Sequence, residues 1–211
     1  MKFSTPLIKG TLIKRYKRFL ADVTLESGEI ITAHTPNTGS MRGCCTPGSR
    51  VYLRNSKNPK RKYPLSWEMI EVAPQILVSI NTHLSNHLVE EAIQNGVIEP
   101  LADYSKIKRE VKYGEENSRI DLLLTEGELP NCYVEVKNVT LVEDKIAYFP
   151  DAVSARGTKH LRELMAMRQQ GHRAVLLFCL QRNDAIEVRP ADNIDALYGQ
   201  TFLQAFAHGV E

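Results

Sequence analysis

Two carboxylates and a lysine fall in two consecutive runs whose other residues are mostly those of β-strands. Asp121 lies in SRIDLLLT, and Glu135 and Lys137 lie in CYVEVKNV, with turn-forming residues between the two runs. The segment 118–140 is therefore predicted to be a β-hairpin. Residues two apart in a strand project from one face, so Glu135 and Lys137 share a face that Asp121 can join from the neighbouring strand.

This constellation has two interpretations. Two convergent carboxylates are hard oxygen ligands suited to Mg²⁺ or Mn²⁺, and a nearby lysine can orient or activate a water molecule. Alternatively, the polar residues form the solvated face of a half-buried strand, which gives the same alternation with valines. Spacing alone favours the second interpretation, since short patterns of this kind are common.

A helix after the hairpin can bring basic groups to the same place. It is predicted to open at Pro150-Asp151 and to stop at Gly171. Arg156 and His160 are four residues apart and share a face of this helix. They bind a phosphate if that face points to the carboxylates, and are ordinary surface if it points outward.

The other predicted elements of this region complete a mixed α/β sheet. A helix with Ser85 as its N-cap and a strand at 106–113 precede the hairpin. The continuous apolar run 174–180 predicts a strand buried on both faces. A short strand at 186–188 and a closing helix at 196–206 follow.

Composition limits the class of protein. The chain has 211 residues, 43% of them hydrophobic and 25% charged, as in ordinary globular proteins. No apolar run approaches the roughly 20 residues that cross a membrane, and the beginning of the chain does not have the pattern of a signal peptide. The four cysteines form no CxxC motif. These features predict a cytoplasmic protein with free thiols and no membrane partner.

Charge is distributed unevenly along the chain. Residues 1–80 contain 13 Lys and Arg against 5 Asp and Glu, an excess of +8, whereas residues 81–211 have a net charge of −6. The asymmetry predicts two modules with a boundary near Pro74, the first of which faces a polyanion. We accordingly divide the chain into domains 1–80 and 81–211.

The first module is predicted to be all-β. About five short alternating runs separated by turn residues fit a small barrel such as an OB-fold, although SH3-like barrels have a similar pattern. Trp67 is predicted to be a core residue. The turn Pro36–Met41 exposes backbone amides, but by itself is interpreted as a tight turn only.

Two basic clusters with neighbouring aromatic residues are the candidate nucleic-acid contacts of this module. The alternatives are an edge strand protected by lysines for the first cluster and a solvated loop for the second. The density of charge favours phosphate contact for the second. The clusters consist of Lys14, Arg15, Lys17 and Arg18, and of Arg54, Lys57, Lys60, Arg61 and Lys62.

The arrangement Asp121-x13-Glu135-Val136-Lys137 resembles the D…ExK core of the PD-(D/E)xK nuclease superfamily. The residue before Asp121 is Ile120, whereas the superfamily's name has proline at that position. The resemblance implies metal-dependent phosphodiester cleavage with Asp121, Glu135 and Lys137 as catalytic residues. In that superfamily an acidic residue of the first helix often joins the site. Glu90 or Glu91 would fill this role, and we take Glu91 as the third candidate metal ligand; the alternative is a pair of exposed helix glutamates.

Over its whole length the chain resembles the sugar fermentation stimulation protein A family. The resemblance implies an N-terminal OB-like domain, a PD-(D/E)xK nuclease-like domain and non-specific DNA binding associated with control of sugar (maltose) metabolism genes. Its fold also suggests nuclease activity. The segments that carry it are PNTG at 36–39, NPKRKYPLSWE at 58–68, REVKYGEENSRIDLLL at 109–124, YVEVKNVTLVED at 133–144, YFPDAVSARGTKHLREL at 148–164 and LFCLQR at 177–182.

Two main functions follow from these observations, and a third, a metabolite sensor with nuclease ancestry, would require a closed pocket. The first is a DNA-binding protein, largely sequence-non-specific because the sequence has no helix-turn-helix or zinc finger to read bases. The second is a Mg²⁺-dependent nuclease that uses Asp121, Glu135 and Lys137, with Arg156 or His160 on the phosphate. Both require DNA as partner, and a homodimer is left open.

Overall fold

The computed structural model of the chain describes residues 2–3 and 5–211. Its residues group into two units, each with its own core. The first unit begins with the segment that ends at His83 and adds residues 139–151 and 180–189; the second contains 84–138, 152–179 and 190–211. A linear division at residue 80 therefore leaves two later segments of the first unit out, because neither is marked by a shift in charge or composition.

Five strands of the first unit close into a barrel. The sheet order is β3-β2-β1-β4-β5-β6, and a parallel pairing of His34 with Ser66 joins β3 to β5. The predicted small OB-like barrel is thus confirmed, with β6 as an additional strand. The strands are β1 (Ile8–Tyr16), β2 (Leu20–Leu25), β3 (Ile30–His34), β4 (Arg50–Asn55), β5 (Leu65–Ala73) and β6 (Ile76–Ser79).

The barrel interior is filled by alternating apolar side chains of these strands. Trp67 is fully buried, as predicted, and its indole N–H donates to the carbonyl of Met69 at 2.9 Å. Gly10 permits the close approach of β1 and β2, since a Cβ there would lie 2.5 Å from Val23 Cγ1. Between β1 and β2 the chain turns through Lys17 and Arg18, both with positive φ.

A small sheet completes the first unit. It has the order β10-β11-β13, with β10 at Leu141–Glu143, β11 at Ile146–Phe149 and β13 at Glu187–Pro190. The last of these corresponds to the strand predicted at 186–188. Its neighbours β10 and β11 were not predicted, because three- and four-residue strands show too little alternation to be recognised.

The second unit is a four-stranded sheet with three helices, and it confirms the predicted mixed α/β domain. The sheet order is β12-β9-β8-β7, and β7, β8 and β9 are antiparallel neighbours. Its strands are β7 (Lys106–Tyr113), β8 (Ser118–Thr125), β9 (Cys132–Val139) and β12 (Arg173–Leu180), and its helices are α1 (Ser85–Gln94), α2 (Ala155–Gln169) and α3 (Ala196–Ala207).

Two predicted helix starts were wrong. Ser85 is the first residue of α1 rather than its N-cap, and its hydroxyl hydrogen-bonds Asn138 at 2.9 Å instead of capping the helix. Helix α2 begins after Ser154, whose hydroxyl accepts from the amide of Gly157 at 3.0 Å. Asp151 cannot open that helix, because its carboxylate accepts a hydrogen bond from Ser40 at 2.6 Å in the first unit.

Strand β12 was predicted to be buried on both faces, and this was also wrong. It lies at the edge of its sheet, and seven of its eight residues are only partly buried. Alternate residues still pack on the core of the unit, among them Val175 and Leu177. On the opposite face, the ring of Phe178 lies 6.2 Å from that of Phe202 on α3. The continuous apolar run thus reflects partial cover on both faces.

Two further findings concern membrane-spanning helices and the cysteines. Within residues 2–3 and 5–211, no helix is both long and apolar enough to cross a bilayer. The four cysteines, Cys44, Cys45, Cys132 and Cys179, are free thiols.

Candidate metal centre

Strand β9 places a carboxylate and an ammonium group together inside the second unit. Glu135 and Lys137 are two residues apart, so they project from the same face of the strand. Their exposed fractions are only 2% and 9%. Lys137 Nζ donates to Glu135 Oε1 at 2.7 Å. The pairing accounts for how two charged groups are tolerated in the interior.

Helix α2 contributes a histidine to the same carboxylate. His160 is 3% exposed, and its Nδ1 hydrogen-bonds Glu135 Oε1. Its Nε2 accepts from Nε of Arg156 at 3.3 Å. The Nδ1 atom also lies 3.2 Å from Lys137 Nζ, so the ring contacts both members of the buried ion pair. His160 therefore connects the buried Glu135 to an exposed guanidinium on the same helix.

Strand β8 brings the second carboxylate alongside. The register that pairs Leu122 with Val134 leads next to Asp121 opposite Glu135. Asp121 Oδ2 accepts from the amide of Val136 at 2.7 Å, and its Oδ1 accepts from the side-chain amide of Asn86 on α1 at 2.8 Å. The carboxylate is thus held in one orientation from two sides.

The pKa values of the two carboxyl groups are shifted in opposite directions. Burial and the nearby charge of Glu135 raise the pKa of Asp121 above its ordinary value, against hydrogen bonds that lower it. Burial would also raise the pKa of Glu135, but the hydrogen bond from His160 and the charge of Lys137 hold it below its ordinary value. Divergent acidities in one pair of carboxyl groups are frequent at functional sites.

One atom of this cluster indicates what the site can bind. Glu135 Oε2 is buried and accepts no hydrogen bond from any residue that the structure describes. A buried carboxylate oxygen without a partner is costly, and a divalent cation would satisfy it. The donors therefore fit a hard metal ion bound by Asp121 and Glu135.

The chain supplies few ligands for such an ion. Among the described residues there is no group of three or more His, Cys, Asp or Glu side chains arranged to hold a metal. Mg²⁺ is usually held by only one or two carboxylates, with waters and substrate phosphates completing its octahedron. Two carboxylates thus match Mg²⁺ better than a cage built wholly from protein.

The predicted third ligand, Glu91, is a partly buried residue of α1. Its neighbour Glu90 forms a salt bridge with Arg109 of β7. Asn86, a neutral residue of α1, donates a side-chain hydrogen bond to Asp121. A ligand role for Glu91 stays a prediction.

The first basic cluster of the barrel is largely engaged within its own unit. Arg15 donates to the carbonyls of Asn37 and Gly39 at 3.0 and 2.9 Å, and Arg18 donates to the carbonyl of Thr38 at 2.9 Å. These arginines therefore brace the turn that contains PNTG. Lys14 is 3.7 Å from Asp22, whereas Lys17 is exposed.

In the second basic cluster, too, the arginines have partners within the first unit and the lysines are exposed. Arg54 pairs with the fully buried Glu68 at 2.7 Å, and Arg61 donates to the hydroxyl of Ser66 at 3.2 Å. The three lysines of the loop are exposed, and in the described part of the chain none of them has a carboxylate partner. They are Lys57, Lys60 and Lys62, which we call the loop lysines.

Comparison with known proteins identifies the family. The family model described as "Sugar fermentation stimulation protein RE domain" matches residues 83–211, and "SfsA N-terminal OB domain" matches residues 13–80. The chain belongs to the sugar fermentation stimulation protein family. The resemblance inferred from the sequence is thereby confirmed, as is the order of the OB and α/β domains.

Relatives in the family match over the whole chain. The sugar fermentation stimulation protein homologues of Thioalkalivibrio sulfidiphilus and Geobacter sp. strain M21 are each 59% identical over 211 residues, which cover 100% of this chain and 88% and 90% of theirs. A solved structure of Pyrococcus furiosus SfsA, described as a complex with Ca²⁺, is 28% identical. It has a TM-score of 0.88 and matches 100% of this chain and 88% of that one.

Sequence reasoning missed Asn86 in this member of the SfsA family. It is one helical turn before Glu90, so the two share a side of α1. Because an amide neither titrates nor ranks as a preferred metal ligand, it gave no chemical signal. The face of α1 that packs on the sheet was the only available clue.

Proposed function

We propose that this protein binds DNA largely without regard to sequence and holds a divalent cation at Asp121 and Glu135. The observation that carries the metal site is the buried Glu135 Oε2, which has no partner among the described residues. The solved structure of Pyrococcus furiosus SfsA is a complex with Ca²⁺, which supports a divalent cation in a protein of the same fold.

The loop lysines support the DNA-binding part of the proposal. Exposed ammonium groups without carboxylate partners gain most from contact with phosphates, since binding releases the counterions condensed on DNA. Such contacts give affinity and position without base readout. The arginines that were predicted to act with them also form hydrogen bonds or an ion pair within the first unit, and their contact with DNA stays a prediction.

A second candidate function is Mg²⁺-dependent hydrolysis of phosphodiester bonds, which the arrangement of Glu135 with Lys137 and His160 favours. The metal would supply Lewis-acid activation of a phosphate oxygen and of a bound water. Lys137, 2.7 Å from Glu135, would hold the attacking water by hydrogen bonding. His160 would act as a positioning residue that fixes Glu135, while the exposed Arg156 would contact the phosphate.

The biological setting is also part of the proposal. We infer action in a reducing cytoplasm, which four free thiols support. The family name associates the protein with sugar fermentation, and non-specific binding near sugar (maltose) metabolism genes would influence their transcription. Transcript levels of those genes in a deletion strain test this association.

A cleavage assay with three proteins separates binding from hydrolysis. Wild type, Asp121→Asn and Glu135→Gln are incubated with linear, branched and single-stranded DNA and with RNA, in Mg²⁺, Mn²⁺ or EDTA. Both variants are expected to keep or slightly improve DNA affinity, since each removes a negative charge, and to lose metal-dependent cleavage. Absence of cleavage of every substrate by the wild type would overturn hydrolysis, and absence of salt-sensitive DNA binding would overturn the first proposal.

A further inference from the structure

A polar cavity lies beside the candidate metal centre in the second unit. It has a volume of about 400 Å³ and is formed by β7, β8, the turn between them and the first half of α2. This volume falls within the range of small-ligand sites, roughly 300 to 1,000 Å³. Its lining includes four cationic side chains, Lys112, Arg119, Arg156 and Lys159, and one carboxylate, Glu110.

None of the four cations forms a salt bridge in the part of the protein that the structure describes. The pKa of the nearby Glu116 is lowered mainly by its hydrogen bond from Arg162 and in part by the charge of Lys159. Lys159 donates to the backbone carbonyl of Glu116 at 2.9 Å, and Arg156 donates to His160. The cavity therefore has a formal excess of three positive charges, from four cations and one carboxylate.

The position of these charges opposes ordinary structural preference. Lys112 and Arg119 face each other directly in the register of β7 and β8, where like charges are destabilising. Arg156 and Lys159 lie near the N-terminal end of α2, where the helix dipole disfavours cations. Four cations placed at a cost to stability are accounted for if an anion binds between them.

The cavity adjoins the candidate metal centre. His160 belongs to its lining and is hydrogen-bonded to Glu135, and Asn117 at the end of the turn adds a neutral polar side chain.

The geometry points to a binding site for a phosphate monoester, the terminal phosphate of a nucleic-acid strand, in this cavity. An internal phosphodiester carries one negative charge, whereas a monoester carries about 1.5 to 2 near neutral pH and has three strong acceptor oxygens. An excess of three positive charges matches the monoester better. The inference rests on the proposed function for the strand to which the phosphate belongs.

The site would make the protein recognise strand ends. A terminal phosphate held by Lys112 and Arg119 would place the adjoining nucleotides next to His160, which is hydrogen-bonded to Glu135. Affinity for nucleic acid would then depend on the chemistry of its end as well as on its length.

Binding of short oligonucleotides tests the inference. The probes are single strands of one sequence that carry either a 5′-phosphate or a 5′-hydroxyl, and a third probe carries a 3′-phosphate. Fluorescence anisotropy in EDTA excludes both metal-mediated binding and cleavage. One terminal phosphate is expected to increase the affinity of the wild type roughly tenfold, since a charge-assisted hydrogen bond contributes about 1.5 kcal/mol or more.

Variants locate the effect. Lys112→Gln combined with Arg119→Gln is expected to reduce the preference to within about twofold, because only exposed side chains change and the charge they supply is lost. Lys159→Gln should reduce it partly. The matched control is Lys108→Gln, an exposed lysine of the same strand outside the cavity, which should keep the full preference.

Each result decides the question. Equal affinity of the wild type for all probes, or a preference that survives in the double variant, overturns the inference while DNA binding stands. If no oligonucleotide binds, the proposed function fails, and titration with inorganic phosphate followed by ³¹P NMR tests the cavity by itself. A phosphate resonance that broadens with the wild type but not with Lys112→Gln/Arg119→Gln supports a site for free phosphate. A resonance that does not broaden with the wild type overturns the site.

Discussion

The ammonium group of Lys137 lies 2.7 Å from Oε1 of Glu135, the same oxygen that receives the hydrogen bond of His160. The other oxygen of that carboxylate is buried and has no partner in the described part of the chain. One carboxylate therefore has one fully satisfied and one unsatisfied oxygen. This asymmetry is what we expect of a group that shares its charge between the protein and a metal ion.

Replacing Lys137 by methionine should separate metal binding from hydrolysis. The metal-free variant should lose roughly 1.5 to 3 kcal/mol of stability, because a charged hydrogen bond to a buried carboxylate is removed. Its affinity for Mn²⁺ should rise, since a cation no longer competes at Glu135. Thermal unfolding with and without Mn²⁺ measures both effects, and cleavage should fall.

The control is Lys108→Met, which changes a lysine at an exposed position. If Mn²⁺ raises the unfolding temperature of Lys137→Met by the same amount as that of the wild type, or by less, the role given to Lys137 is contradicted.

The loop lysines should determine how DNA binding responds to salt. Lys→Gln at positions 57, 60 and 62 removes three phosphate contacts, so the slope of log K against log salt should become less steep by roughly 2 to 3. Titrations at several salt concentrations measure the slope. A triple Lys→Gln variant at 9, 106 and 108 loses the same formal charge from exposed positions elsewhere and should change the slope much less. Equal slopes in the two triple variants would show that the loop is not the contact surface.

Arg54 should act in stability rather than in DNA binding. Its guanidinium is the cationic partner of Glu68, which is fully buried and otherwise held by the side-chain amide of Asn81 at 2.6 Å. Arg54→Gln should therefore lower the free energy of unfolding by roughly 1.5 to 3 kcal/mol. Fluorescence of Trp67, the single tryptophan, follows this transition within the barrel.

Lys60→Gln provides the matched comparison for Arg54. It removes one charge from the same basic cluster at an exposed position, so its stability should stay within roughly 0.5 kcal/mol of the wild type. DNA affinity should fall at least as much in Lys60→Gln as in Arg54→Gln. The opposite order of DNA affinities would restore Arg54 as a phosphate contact.

The pair of Arg182 and Asp184 should make stability sensitive to acid. Hydrogen bonds from Arg182 hold the pKa of Asp184 below its ordinary value of 3.8. A carboxyl with a lowered pKa in the folded state stabilises the protein above its ordinary pKa and loses that contribution as pH falls through the folded value. The stability difference between wild type and Asp184→Asn should thus be constant from about pH 5 to 7 and shrink below about pH 4. Urea unfolding monitored by Trp67 fluorescence measures it, and a difference that grows in acid would contradict the assignment.

The hairpin that carries the acidic residues could be predicted from the sequence because local signals agreed there. Two apolar runs of strand length, a turn with glycine and proline, and charges two residues apart all favour the same hairpin. Strands β8 and β9 have the bounds 118–125 and 132–139, as the pattern predicts. The contact of His160 with Glu135 could not be predicted, since it depends on how α2 packs on the sheet.

The use of the arginines could not be predicted either. A run of basic residues has the same composition whether its guanidinium groups face solvent, backbone carbonyls or a buried carboxylate. Arg15 contacts carbonyls and Arg54 contacts Glu68, while the loop lysines remain exposed. The backbone carbonyls and the buried carboxylate that receive these arginines belong to parts of the chain that are distant from them in sequence. The same reason explains why segments 139–151 and 180–189 were not assigned to the first unit.

Anomalous diffraction from crystals soaked in Mn²⁺ tests the central claim most directly. The account predicts one strong manganese peak within coordination distance of Glu135 Oε2 and of a carboxylate oxygen of Asp121, and its absence in Glu135→Gln crystals treated identically. The same map shows whether Glu91 is the third ligand. Saturating Mn²⁺ without a peak at Asp121 and Glu135, or the same peak in Glu135→Gln, would contradict the account.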